Sequence, residues 1–169
     1  MHNRQHTTAL IAMLLLSIIW QHPALGDAPA GYTFVSYDEG LRRAIKESKP
    51  MFVYFGRYGC AWCDWTNRET FSNAELRNLY TDHYVLVYVD AESGKRLTLP
   101  NGERITEAEL GTRFHAFATP LFVYLDAQGK EIFKAPGFKT VDDFKEFDQY
   151  VVGGHYKTQK LMEFLGSRK

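Results

Sequence analysis

The chain is poor in cysteine. Cys60 and Cys63 are the only two among 169 residues, too few for the disulfide frameworks that hold small secreted scaffolds. It has no net charge, with 20 Lys and Arg against 20 Asp and Glu. Without a basic stripe there is no electrostatic footprint for nucleic acid or an anionic membrane, and no nucleic-acid partner is expected. Its longest apolar run, Ala9 to Trp20, falls short of the roughly 20 residues a spanning helix needs. It has no internal repeat and no low-complexity tract. What it does have is a globular composition, 45% hydrophobic and 15% aromatic, at single-domain length.

The apolar run has neighbours that give it a meaning. A short polar start holds Arg4 as its only full positive charge. Gln21-His22-Pro23 follows the run, and then Ala24-Leu25-Gly26. This is the n-region, h-region and small-residue cleavage site of a secretory signal peptide. Residues 1–26 are therefore expected to be removed, with cleavage after Ala30 as the second choice, leaving a domain over 27–169. An uncleaved inner-membrane anchor is the alternative. Export implies the periplasm, an oxidising compartment in which a dithiol stays reduced only if something resets it.

The cysteine pair is the stretch the chain is built around. Met51-Phe52-Val53-Tyr54-Phe55 reads as a buried strand, and Gly59-Cys60-Ala61-Trp62-Cys63 carries it into a helix. A Cys-x-x-Cys at a strand-to-helix junction suits thiol–disulfide chemistry. Unpaired N–H groups and positive partial charge at the helix start stabilise a thiolate on the first cysteine. Two intervening residues let the second thiol reach it. As a staple the pair is a poor choice, because so short a loop removes little chain entropy.

Around this centre the elements follow in order. Tyr32–Val35 is expected as a short edge strand, and Asp38 as the cap of a helix over Glu39–Ser48. The helix from Cys60 is expected to run to about Tyr80, broken at Ser72-Asn73 by a fresh cap. Tyr84–Asp90 is a second buried strand. Residues 91–106 form a polar surface excursion with a hairpin turn at Pro100-Asn101-Gly102, and Thr106 with Glu109 forms a capping box. Leu121–Leu125 and Lys130–Lys134 make an antiparallel hairpin around Asp126–Gly129. Thr140 caps a helix ended by Gly153-Gly154, and Tyr156–Leu165 gives a last helix. The expected fold is α/β, a central mixed β-sheet flanked by helices on both faces.

Gly-Cys-Ala-Trp-Cys after an apolar strand, Thr119-Pro120 before another, and Asp126-Ala127-Gln128-Gly129-Lys130 at a hairpin turn resemble the thioredoxin superfamily. The cysteine helix followed by Thr70-Phe71-Ser72-Asn73 is similar to the C-terminal thioredoxin-like domain of DsbD, the membrane thiol:disulfide interchange protein. Arg113-Phe114, Ala118–Lys130, Pro136-Gly137-Phe138 and Tyr150–Tyr156 resemble the exported SoxW-like thioredoxins. The resemblance implies a thioredoxin-like fold and a thiol:disulfide oxidoreductase that reduces protein disulfides. Cys60 is then the nucleophile and Cys63 the resolving thiol. Pro120 is the cis-proline against the disulfide, and Thr119 offers backbone groups to a substrate chain. Ala61 and Trp62, between the cysteines, would also face substrate. No cofactor is implied beyond the Cys60–Cys63 disulfide, and the implied resetting partner is a membrane thiol reductase of the DsbD or CcdA kind. A disulfide oxidase or isomerase of the same fold, or a non-catalytic binding module, are the alternatives.

The sequence also departs from thioredoxin. Gly59 replaces a tryptophan, and Ala61-Trp62 replaces Gly-Pro. Tyr54 stands where the family has a buried Asp, and Asn67 where the DsbD domain has a second acid. Glu69 and Asp64 are the remaining candidates, by proximity, for the proton acceptor of Cys63.

Other chemistries fit less well. Zinc would need Cys60 and Cys63 plus two of His83, His115 and His155, without the second cysteine pair usual in structural sites; no metal is expected. A c-type haem site needs His where Asp64 stands. Trp62 and Trp65 are either a substrate-facing patch or packing, with Trp62 the more exposed. Arg57 and Tyr58 either contact a partner or lie in a solvated loop. No coiled coil or long exposed edge calls for a second copy, so a monomer is expected.

Overall fold

The computed structural model describes residues 28–167. The expected signal peptide over 1–26 lies outside them.

Four strands form the central sheet: β1 (Met51–Gly56), β2 (Val85–Asp90), β5 (Leu121–Leu125) and β6 (Glu131–Pro136), in the order β2-β1-β5-β6. β1 runs parallel to β2, with Tyr54 opposite Tyr88, and antiparallel to β5, with Tyr54 opposite Phe122. All six β1 residues are buried, as their unbroken apolar run requires of a strand covered on both faces. Alternation along β1 divides the core in two. Phe52 and Tyr54 join an aromatic cluster with Phe71, Tyr80, Phe122 and Phe144. Met51, Val53 and Phe55 face the other way, toward Tyr37, Ala44 and Leu110.

Helices cover both faces. α1 (Tyr37–Glu47) and α4 (Glu107–Arg113) contribute Tyr37, Ala44 and Leu110 to the second cluster. α2 (Ala61–Thr66), α3 (Ala74–His83), α5 (Val141–Val152) and α6 (Leu161–Gly166) lie on the aromatic side. The expected break after the cysteine helix is real: the Asn73 side chain caps α3 by accepting from the Leu76 N–H at 2.9 Å. Between α2 and α3 the chain passes through a π-helical turn, Asn67–Phe71. The excursion holds a small hairpin, β3 (Arg96–Thr98) with β4 (Arg104–Thr106). The capping box at Thr106 and Glu109 is present, as is one at Thr140 and Asp143.

Three expectations change. Tyr32–Val35 is not a strand. Only Val35 bridges to β2, opposite Val87, because α1 begins two residues later. Tyr32 and Phe34 instead stack on each other and pack against Phe71 and Tyr88. Asp38 does not cap α1; it lies in the first turn, and its carboxylate accepts from the Ser36 hydroxyl at 2.6 Å. The last helix is shorter than Tyr156–Leu165. A 3-10 turn, His155–Lys157, precedes α6, and the Tyr150 hydroxyl holds the linker between them through the Gln159 carbonyl at 2.8 Å.

Candidate active site

Cys60 is the residue that caps α2 and Cys63 lies in its first turn; the two form a disulfide with Cα atoms 5.2 Å apart. The fold puts them there because β1 ends at Gly56 and Gly59, at φ 69°, turns the chain into the helix, a conformation suited to glycine. Cys63 is fully buried and Cys60 is 4% exposed. Of the two residues, only Cys60 keeps any exposed surface.

Two donors converge on Cys60 Sγ. The Cys63 N–H lies 3.2 Å away and the Thr119 hydroxyl also 3.2 Å away. When Cys60 is reduced, both would stabilise its thiolate, the first by the orphan-donor chemistry of a helix start. The Thr119 carbonyl oxygen lies 3.4 Å from the same sulfur. The Thr119–Pro120 peptide is cis. Thr119 and Pro120 lead directly into β5, whose antiparallel pairing with β1 brings them to the cysteine end of the sheet.

Trp62 is 63% exposed, Ala61 is also exposed, and Trp65 is half exposed under the Arg68 guanidinium. Tyr58 lies open in the loop before Cys60, while Arg57 pairs with Glu92 at 2.7 Å across the surface. Phe117, two residues before Thr119, is among the most exposed large apolar side chains of the described residues. The sequence reading passed over it; an aromatic side chain in a loop entering a Thr-Pro pair was the available signal.

The proton-acceptor candidates separate. Glu69 is exposed on the π-helical turn, and Asp64 is partly buried on α2. Beneath α2 lies Tyr54, fully buried, donating to the Asn67 Oδ1 at 3.2 Å and more weakly toward the Cys63 carbonyl at 3.5 Å. Burial, aided by the nearby Tyr88 and Asp64, pushes the Tyr54 hydroxyl far above its usual range, so it stays protonated. Asn67 entered the sequence reading only as a missing acid; its place four residues after Cys63, one helical turn on, was the sign that it shares that face.

The histidines have other neighbours. His83 contacts the buried Asp148 at 2.9 Å, His115 meets the Phe117 ring edge, and His155 packs on Phe164. Among the described residues no group of three His, Cys, Asp or Glu is arranged to hold a metal ion. The redox centre is the disulfide of the chain itself.

A thioredoxin-like domain family matches residues 37–151. The chain belongs to that family. Among curated proteins, spermatogenesis-associated protein 20 of Rattus norvegicus is 39% identical over 54 residues, 32% of this chain and 7% of that protein. The disulfide bond reductase DsbH of Chlamydia pneumoniae is 26% identical over 106 residues, 62% of this chain and 63% of that protein. The chain thus spans less than two thirds of either relative. Among solved structures, a thioredoxin-fold protein from Helicobacter pylori superposes with a TM-score of 0.63 at 26% identity, covering 72% of this chain and 80% of that one. A buried, closely spaced cysteine pair in this thioredoxin-like frame supports thiol–disulfide oxidoreductase chemistry.

Proposed function

We propose that the protein is an exported, periplasmic thiol:disulfide oxidoreductase that reduces protein disulfides through Cys60 and Cys63. The observation that carries this is the disulfide at the start of α2, with Cys60 Sγ in contact with both the hydroxyl and the carbonyl of Thr119. The likeness to a protein named a disulfide bond reductase supports the reducing direction. The leader-like residues 1–26 support export, with the mature domain beginning at Asp27. The resemblance to SoxW-like thioredoxins in Pro136–Phe138 and Tyr150–Tyr156 points the same way.

In the proposed reaction the Cys60 thiolate attacks one sulfur of the target disulfide. That S–S bond breaks, and the target's second sulfur leaves as a thiolate and takes up a proton. Cys63 then loses its proton and attacks Cys60 Sγ, expelling the target's first sulfur, which is protonated in turn. Two electrons pass from the dithiol to the target, with one proton released by Cys63 and one taken from solvent, and the Cys60–Cys63 disulfide remains. The Cys63 N–H and Thr119 hydroxyl hold the charge on Cys60 when it is the attacking thiolate. The Thr119 carbonyl offers an acceptor to the main chain of a docked polypeptide, and Trp62 gives it an apolar surface. A membrane thiol reductase of the DsbD or CcdA kind would return the electrons.

The test is reduction of a model protein disulfide by the mature protein, with dithiothreitol as donor. Turnover that is lost in Cys60→Ser supports the proposal. Equal activity in Cys60→Ser and wild type would sink it.

A further inference from the structure

The Tyr54 hydroxyl is the polar group that the sheet places beneath the resolving cysteine. It arises from the middle of β1, is sealed by Phe71, Phe122 and Tyr88, and reaches the main chain of Cys63 and the side chain of Asn67. The Cys63 carbonyl also accepts the Asn67 N–H. Tyr54 has one hydroxyl proton, so its link to Cys63 runs mainly through Asn67, which accepts that proton at Oδ1 and donates its own N–H to the Cys63 carbonyl; the direct approach to that carbonyl, 3.5 Å, is secondary. The link falls where the helix widens from α2 into the π-helical turn. π-Helical turns of this kind are frequent at functional sites. Below that turn, the Thr70 hydroxyl donates to the Lys139 carbonyl at 2.7 Å, fixing its other end to the segment before α5.

We infer that Tyr54 is a positioning residue for the resolving step: its hydroxyl, with Asn67, holds the Cys63 backbone so that the Cys63 sulfur stays in line with Cys60 Sγ. This rests on the proposed thiol–disulfide function. Tyr54 takes no proton from Cys63. It is a donor already engaged, and burial keeps it neutral. The titratable groups facing it are Tyr88 from β2 and Asp64 from α2; β5 presents Phe122 and the π-helical turn presents Phe71. The first attack, by Cys60, has no direct contact with Tyr54: its donors are the Thr119 hydroxyl and the Cys63 N–H, which the Cys60 carbonyl also holds at 3.0 Å. The two half-reactions should therefore respond differently to its loss.

The experiment is rapid-quench kinetics of the reduced protein with a disulfide-linked peptide, following the Cys60 mixed disulfide by mass spectrometry. In Tyr54→Phe the mixed disulfide is expected to form at the wild-type rate and to persist about 5–10-fold longer, as expected for loss of a net hydrogen bond of about 1 kcal/mol. Asn67→Ala, at a partly exposed position, should lengthen it in the same direction should Tyr54→Phe fold poorly. The pH dependence of resolution should show the same ionisations in wild type and Tyr54→Phe, because the Tyr54 phenol takes no proton. An unchanged lifetime in both variants, equal slowing of both steps, or an ionisation that disappears in Tyr54→Phe would overturn the inference. A wild-type protein that forms no mixed disulfide would overturn the proposed function and this inference together.

Discussion

Thr119 and Cys60 are 59 residues apart in the chain, yet the Thr119 hydroxyl donates to Cys60 Sγ at 3.2 Å and its carbonyl lies 3.4 Å from the same sulfur. One residue thus meets the sulfur with both its side chain and its main-chain carbonyl. The β1–β5 pairing creates this, since the end of β1 and the start of β5 lie side by side. Removing the hydroxyl while keeping the shape, as in Thr119→Val, should raise the Cys60 thiol pKa, because the thiolate loses one of its two donors. Titration of thiolate absorbance in the reduced protein measures this. A pKa equal to wild type would show that the hydroxyl does not act on the thiolate.

The direction of electron flow depends on the reduction potential of the pair. As a reductant, the dithiol should equilibrate with glutathione near the thioredoxin value of about −270 mV, well below the about −120 mV of a strong oxidant. Redox titration with mass-spectrometric counting of free thiols gives the number. A potential at the oxidising end would reverse the proposed direction and favour an oxidase.

Gly40 sits in the buried face of α1, and a Cβ there would collide with Val87 Cγ2 and lie 3.0 Å from Met51 Cε. Alanine is worth up to about 1 kcal/mol more than glycine inside a helix. Overpacking against a strand that cannot yield costs about 1–3 kcal/mol. Gly40→Ala should therefore lower stability, read as a lower urea midpoint at unchanged slope. A raised midpoint would mean that α1 moves off β2 at little cost.

Alkaline pH should unfold the protein through its tyrosines. Tyr80, Tyr84 and Tyr124 are buried together with phenols held well above their ordinary range, mainly by desolvation, and Tyr37 is pushed up to about 12. In the unfolded chain these groups ionise near pH 10. Above that pH the unfolded state binds fewer protons than the folded one, so stability is intact below about 10 and falls as pH rises toward 12. Tyrosinate absorbance and circular dichroism should change together over that interval. Ionisation of all the tyrosines well before loss of structure would contradict the burial.

Much of this was legible in the sequence because it is local. The apolar runs of β1, β2 and β5, the cap at Asn73, the hairpin around Asn101-Gly102 and the capping boxes at Thr106 and Thr140 are each written within a few residues. Cys60 and Cys63 announced themselves by spacing. What stayed hidden was set by packing at a distance. Tyr32 and Phe34 have strand-forming side chains, but their rings are claimed by Phe71 and Tyr88. The π-helical turn at Asn67–Phe71 has no sequence signature, and Asn67 gained its role only through Tyr54 on another element. The linker before α6 is fixed by Tyr150, which no local pattern could indicate.

The most direct test of the central claim is trapping. Reduced Cys63→Ser protein is incubated with a disulfide-linked peptide and examined by intact mass spectrometry, beside Cys60→Ser. Cys60, the less buried of the pair and the one whose sulfur has two donors, should carry the peptide as a stable mixed disulfide released by dithiothreitol, and Cys60→Ser should carry none. A stable adduct on Cys63 in Cys60→Ser, with none on Cys60 in Cys63→Ser, would contradict the account.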